Sequence, residues 1–153
     1  MMQMYIPGLY DQDGSGPPVA WSDEINLAGA SQMQFIQQVI TDRGQQSYFN
    51  RIPAQDIVED AGSDDKRVTA SRDSQGSYII VYSPTGQTFS IDTASLDGCD
   101  VQASWFDPVV GTYQEFDYTQ CNGDNSTKRQ FAPPKVDSHV DWALVLEVKQ
   151  QVK

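Results

Sequence analysis

Cys99 and Cys121 are the chain's two cysteines, and they stand as near mirror images about Val110. Strand-like segments at 101–106 and 112–118 lie between them, joined by the turn Asp107-Pro108-Val109-Val110-Gly111. Antiparallel pairing of those segments brings the cysteines opposite each other, which a disulfide requires. Two small buried thiols are the plainer alternative; the mirrored spacing favours the bridge. A bridge implies an oxidising compartment. Asn125-Ser126-Thr127 adds an N-glycosylation triplet in a polar loop. Such triplets are common by chance, so this one counts only beside the cysteine pair. Together they favour an extracellular protein.

Other chemistry is thinner. Asp11-Gln12-Asp13-Gly14-Ser15-Gly16 resembles the first half of a calcium loop, with oxygens at alternating positions and a glycine sixth. The twelfth position is Ser22 rather than Glu, and Pro17-Pro18 follow directly, so a solvated turn is expected and no metal ligand is assigned. Glycoside cleavage needs two carboxyl groups a fixed distance apart across a sugar. Among 21 acidic residues no pair stands out, and no catalytic residue is assigned. His139, the single histidine, lies in Asp137-Ser138-His139-Val140-Asp141 without a Ser or Cys nucleophile motif, and reads as a surface-turn residue. There is no glycine-rich phosphate loop, and no cofactor is expected. Phe106 and Tyr113 fall on the polar faces of their strands beside one turn. Read as exposed rings, they form a candidate binding pair for a sugar or a proline-rich ligand, although single exposed aromatics are also ordinary.

These residues need a scaffold. The chain's 153 residues carry 10 basic and 21 acidic side chains, a formal charge of −11. A 39% hydrophobic share at this length can bury a core. With no basic cluster, nucleic acid and anionic membrane surfaces are poor partners. No apolar run is long enough for a membrane-spanning helix. The opening Met1-Met2-Gln3-Met4-Tyr5-Ile6-Pro7-Gly8 lacks the basic and apolar regions of a signal peptide. The chain is therefore expected to be cytosolic or a piece of a longer one, and the cysteine pair favours the piece.

Residues 1–26 read as irregular. Leu27, Ala30, Met33, Phe35, Ile36, Val39 and Ile40 then recur at helical spacing, between an N-cap at Asn26 and a stop at Gly44. A helical turn is expected at 52–58, begun by Pro53. The acidic stretch 59–65 reads as a linker. Beyond it the apolar period becomes two. Strands are expected at 67–72, 77–82, 88–92, 101–106, 112–118, 128–131 and 142–148, with hairpin turns at 73–76, 83–86 and 107–111. The fold class is mainly β: an antiparallel β-sandwich of about seven strands after one amphipathic helix and an irregular N-terminal segment. Ile79-Ile80-Val81 is apolar on both faces, which predicts a central strand. Trp105 and Trp142 share strand faces with small and aliphatic residues and are expected in the core.

A set of strings then becomes recognisable. They are Arg51-Ile52-Pro53-Ala54-Gln55-Asp56-Ile57-Val58, Ala70-Ser71-Arg72-Asp73, Gly76-Ser77-Tyr78, Val81-Tyr82-Ser83-Pro84-Thr85-Gly86, Trp105-Phe106-Asp107-Pro108 with Gly111, and Asp141-Trp142 before Leu144-Val145-Leu146. From about Arg51 to Val148 the chain resembles the β-sandwich family called the "putative collagen-binding domain of a collagenase". That resemblance implies a module at the C-terminus of an apiosidase-like (β/α)₈ glycoside hydrolase. Gln3-Met4-Tyr5, Trp21-Ser22-Asp23-Glu24-Ile25 and Gly29-Ala30-Ser31-Gln32-Met33 resemble the last strand-to-helix stretch of such barrels. Residues 1–50 would then be the barrel's end and 51–153 the accessory domain. The resembled enzymes keep their catalytic carboxylates further upstream.

Three functions compete. A non-catalytic accessory module would either pack against its upstream barrel or hold a polymer such as a polysaccharide or collagen. A glycoside hydrolase fragment would be active only with its missing barrel, with the loop at 5–22 lining the active-site rim. A purely structural sandwich would only cap the barrel and bury the helix stripe. In each, the helix stripe needs a cover, from the sandwich, from the 1–26 segment or by self-association through the 27–40 helix.

Overall fold

The computed structural model describes residues 28–44, 48–121, 127–135 and 140–149. Among the described residues, helix α1 (Ala28–Thr41) precedes nine strands: β1 (Arg51–Pro53), β2 (Val58–Glu59), β3 (Thr69–Asp73), β4 (Tyr78–Ser83), β5 (Phe89–Asp92), β6 (Val101–Asp107), β7 (Thr112–Phe116), β8 (Lys128–Phe131) and β9 (Trp142–Val148). A six-stranded sheet runs β1-β3-β4-β9-β6-β7, and a three-stranded sheet runs β2-β5-β8. Every pairing is antiparallel. The expected sandwich is there, with two more strands than expected.

Strand alternation decides which layer each side chain serves. Ile79 and Val81 of β4, Leu144 and Leu146 of β9, and Ala103 and Trp105 of β6 point between the sheets, where Phe89 and Ile91 of β5 and Phe131 of β8 meet them. Aromatic rings fill the middle: Trp105 lies 6.0 Å from Phe89 and 6.1 Å from Phe116. Burying each of these large side chains contributes about 1.5–3 kcal/mol. The opposite face of the larger sheet is also apolar. Tyr78, Ile80, Phe106, Ala143 and Val145 form a second cluster there, covered by Val39 of α1. β4 lies between β3 and β9, as its two-faced apolar character predicts.

Three local expectations are corrected. Pro53 ends β1 instead of starting a helix; the helical turn is a shorter 3-10 turn at Gln55–Ile57. The stretch 59–65 is not a linker, because β2 before it and β3 after it belong to the two sheets of one sandwich. The turn at 83–86 carries the chain from β4 in one sheet to β5 in the other, so it closes no hairpin. The turns at 73–76 and 107–111 do close hairpins, β3–β4 and β6–β7.

Candidate functional site

The sequence places α1 by ending it sharply and giving it one apolar flank. Gly44, at φ 82, donates its N–H to Thr41 O at 3.0 Å and stops the helix as its position predicts. Phe35, Val39 and Ile40 face the outer cluster of the larger sheet. Amides fasten the helix to the β6–β7 turn: Gln32 Nε2 donates to Val109 O at 3.5 Å, and Gln38 Nε2 to Gly111 O at 3.4 Å. At the C-terminal end, Tyr113 Oη donates to Asp42 Oδ2 at 3.0 Å. Arg43 lies 5.5 Å over the Tyr78 ring and 3.5 Å from Glu147 Oε2.

The helix covers only part of the sheet. Along one flank runs an open groove of about 610 Å³. Ile80, Tyr82, Phe106 and Ala143 contribute its floor, and Met33, Ile36 and Ile40 its helical wall. Met33 is 61% exposed and Ile36 48%, so the stripe is half covered. Arg51 and Asp141 are the charged side chains on its lining. Tyr82 Oη donates to Asp141 Oδ2 at 2.9 Å. Burial first, and then that carboxylate, push the Tyr82 phenol up to about 12. Such a lining offers little for bond chemistry but suits an apolar protein surface.

The predicted disulfide is formed. Cys99 and Cys121 are joined with Cα atoms 5.2 Å apart across a separation of 22 residues. Phe106 and Tyr113 do sit together, ring centroids 4.8 Å apart. Their expected exposure is corrected: Phe106 is 1% exposed and Tyr113 half-buried, because α1 covers the face that looked polar from the strands alone. Burial pushes the Tyr113 phenol up to about 12; Arg43 opposes this, and the hydrogen bond to Asp42 adds to it. Trp105 and Trp142 are in the core as expected. Asn26, Leu27, Asn125, His139, the 5–22 loop and the aspartates of the calcium-like turn lie outside the described residues.

Sequence reasoning missed Arg43, the Tyr82–Asp141 pair and the contact between Phe35 and the β6–β7 turn. A basic residue just before a helix-ending glycine was the available signal for Arg43. Nothing local in the sequence marks the other two, since each joins segments at least 59 residues apart.

The fold and groove can now be set beside known proteins. A structure described as a glycoside hydrolase superposes with a TM-score of 0.74 at 22% identity, over 99% of this chain and 32% of its own. A family 5 glycoside hydrolase from Bacteroides vulgatus superposes with a TM-score of 0.72 at 22% identity, over 88% of this chain and 28% of its own. This chain thus spans about a third of the length of those structures, and at such identity the likeness is one of fold. No curated protein matches the chain. The model of the family described as "putative collagen-binding domain of a collagenase" matches residues 52–147, which run from β1 through β9 and carry both sheets and the turn on which α1 rests; by that match the chain belongs to this family.

Proposed function

We propose that the chain is a non-catalytic accessory module of an extracellular, glycoside-hydrolase-like protein. Its α1–groove face docks on an upstream catalytic domain, and its remaining surface is free to hold a polymer such as a polysaccharide or collagen. One observation carries this reading: an apolar groove beside a helix whose Met33 and Ile36 lack cover among the described residues. Exposing a continuous apolar flank is costly unless a partner surface meets it. The superposition over 99% of the chain extends beyond the 52–147 family match. That supports reading residues 1–50 as the end of an apiosidase-like barrel and 51–153 as the accessory domain. The Cys99–Cys121 bridge supports an oxidising, extracellular setting, and Asn125 would be its glycosylation point.

The test has two arms. Purified chain is assayed on a panel of aryl and polymeric glycosides, where no turnover is expected. It is also fused after a catalytic barrel of the resembled type, with and without Met33→Ser and Ile36→Ser. Docking predicts that the unaltered fusion melts in one cooperative transition and the double variant in two. Turnover by the isolated chain, or two transitions in both fusions, overturns the proposal.

A further inference from the structure

The groove beside α1 carries its own specification of what fills it. Gly29, Met33, Ile36 and Ile40 line it from the helix, at steps of four, three and four residues. That is the spacing by which one helix meets another along a narrow seam. Met33 and Ile36 stand open to solvent in the middle of the seam. At its start, a Cβ built at Gly29 would meet nothing within 4 Å, so a partner has room to approach there.

The two charged side chains of the lining stand at opposite ends. Phe106 pairs with Ala143, so Asp141 lies level with Pro108 in the β6–β7 turn. Gln32, in the first half of α1, donates to Val109 O of the same turn, so Asp141 marks the end where α1 begins. Arg51 pairs with Asp73, and Arg72 with Ile79, so Arg51 lies level with Tyr78. Arg43, just past the end of α1, covers the Tyr78 ring, so Arg51 marks the end where α1 stops. Strand rise and spacing put the two charges about 25 Å apart, the length of a helix of about 16 residues. Among the described residues neither has an ion-pair partner. Asp141 accepts one hydrogen bond, from Tyr82 on Oδ2, and Arg51 lies 5.6 Å over the Tyr48 ring.

We propose that the groove receives one amphipathic helix of the upstream domain, lying parallel to α1 with its N-terminus at Asp141 and its C-terminus at Arg51. A helix carries partial positive charge and open N–H groups at its start, and partial negative charge and open carbonyls at its end. In the parallel orientation Asp141 meets the first and Arg51 the second. The antiparallel orientation turns both contacts into repulsions. An extended strand has little net dipole along its axis, so the same two charges would not fix its direction. The inference rests on the docking reading of this face. A (β/α)₈ barrel supplies such a helix, because each of its helices follows a parallel strand and neighbouring helices run the same way.

The probe is a helical peptide of about 16 residues, built from Ala and Gln with Leu at the same four-three spacing. Its ends are acetylated and amidated, so that only the dipole distinguishes them. A nitroxide is attached at one end or the other. Two-dimensional NMR at low salt, where dipole contacts are least screened, follows the isotope-labelled 153-residue chain, kept dilute enough to be monomeric. The peptide is expected to shift the amides of Met33 and Ile36 saturably. The N-terminal label should broaden Tyr82 and Ala143, and the C-terminal label Arg51 and Ile52. Asp141→Asn and Arg51→Gln should each weaken binding about threefold. Arg51→Asp combined with Asp141→Arg should invert the label pattern; the two neutral variants decide the matter if that exchanged chain does not fold. Overturning results are no saturable shift, a label pattern reversed or equal at both ends, or unaltered affinity in both neutral variants. Tighter association of the chain with itself than with the peptide also overturns it, by making a second copy the occupant. Docking of the whole domain is read separately, by melting of the fusion. An antiparallel peptide therefore ends this inference and leaves docking standing, whereas two transitions in both fusions end docking whatever the peptide does.

Discussion

The ring of Phe35 rests directly on Gly111: a Cβ built at Gly111 would come within 2.4 Å of the Phe35 ring carbons. Gly111 also sits at φ 71, in the left-handed region. A glycine in the β6–β7 turn is therefore required twice, by the backbone and by the helix lying on it. Gly111→Ala should cost about 2 kcal/mol or more, from left-handed strain plus overpacking. Phe35→Ala should cost about 2 kcal/mol, less than a fully buried Phe because the ring is only half covered. In the double variant the clash is gone, so its loss should be smaller than the sum of the two single losses by more than about 0.5 kcal/mol. Urea unfolding of the four proteins checks this. Hydrogen exchange should show α1 losing protection in Gly111→Ala while β4 and β9 keep theirs.

Reducing the Cys99–Cys121 bridge should lower stability without dismantling the sandwich. Both cysteines are exposed and lie outside the two hydrophobic clusters. The effect comes mainly from the loop that the bridge closes in the unfolded chain. For a separation of 22 residues this is about 3 kcal/mol. Urea midpoints with and without reductant measure it. Intact mass after alkylation should show two added labels only when the protein is reduced first.

That bridge was legible in the sequence because hairpin pairing is local: two strands and a short turn make the spacing a geometric statement. The same holds for β4, whose Ile79-Ile80-Val81 run announced burial on both faces. Phe106 shows the limit. Its strand neighbours Gln102 and Ser104 on the outer face are polar, so alternation alone placed it in water. Only α1, more than sixty residues earlier, turns that face into a second core. The groove is a product of where α1 crosses the sheet, and no local pattern encodes that crossing. β1 and β2 were missed because strands of three and two residues carry no period to read.

Two phenols report on the helix-covered face through pH. Tyr113 and Tyr82 are each pushed up to about 12 from 10.0, in both cases chiefly by burial. A phenol raised in the folded state holds its proton more tightly there than when unfolded. The stability it contributes is complete below pH 10.0 and is lost as pH rises toward about 12. The ultraviolet titration should therefore show Tyr82 and Tyr113 ionising late, and Tyr78, which burial also raises, late as well. Tyr113→Phe should remove one late step, flatten the alkaline fall in stability and free the C-terminal end of α1, because Asp42 loses its donor.

Met33 and Ile36 make the last expectation, because they separate an unfinished surface from a poorly packed one. Both are exposed, at 61% and 48%, on the groove side of a helix whose Phe35, Val39 and Ile40 are seated. Replacing an exposed side chain removes little burial, so Met33→Ser and Ile36→Ser should change the unfolding free energy of the dilute chain by no more than about 0.5 kcal/mol each. Were they part of a core, serine would cost several-fold more. Association is where they should act. The isolated chain presents this flank to other copies of itself, so sedimentation at rising concentration should show weak self-association through α1. The paired serine variant should remain monomeric over the same range. Phe35, on the same helix but seated on Gly111, should behave in the opposite way: its loss weakens folding and leaves association dependent on whether α1 stays docked. A serine pair that unfolds the chain would place the groove inside the core, whereas a serine pair that only keeps it monomeric identifies the groove as a docking face.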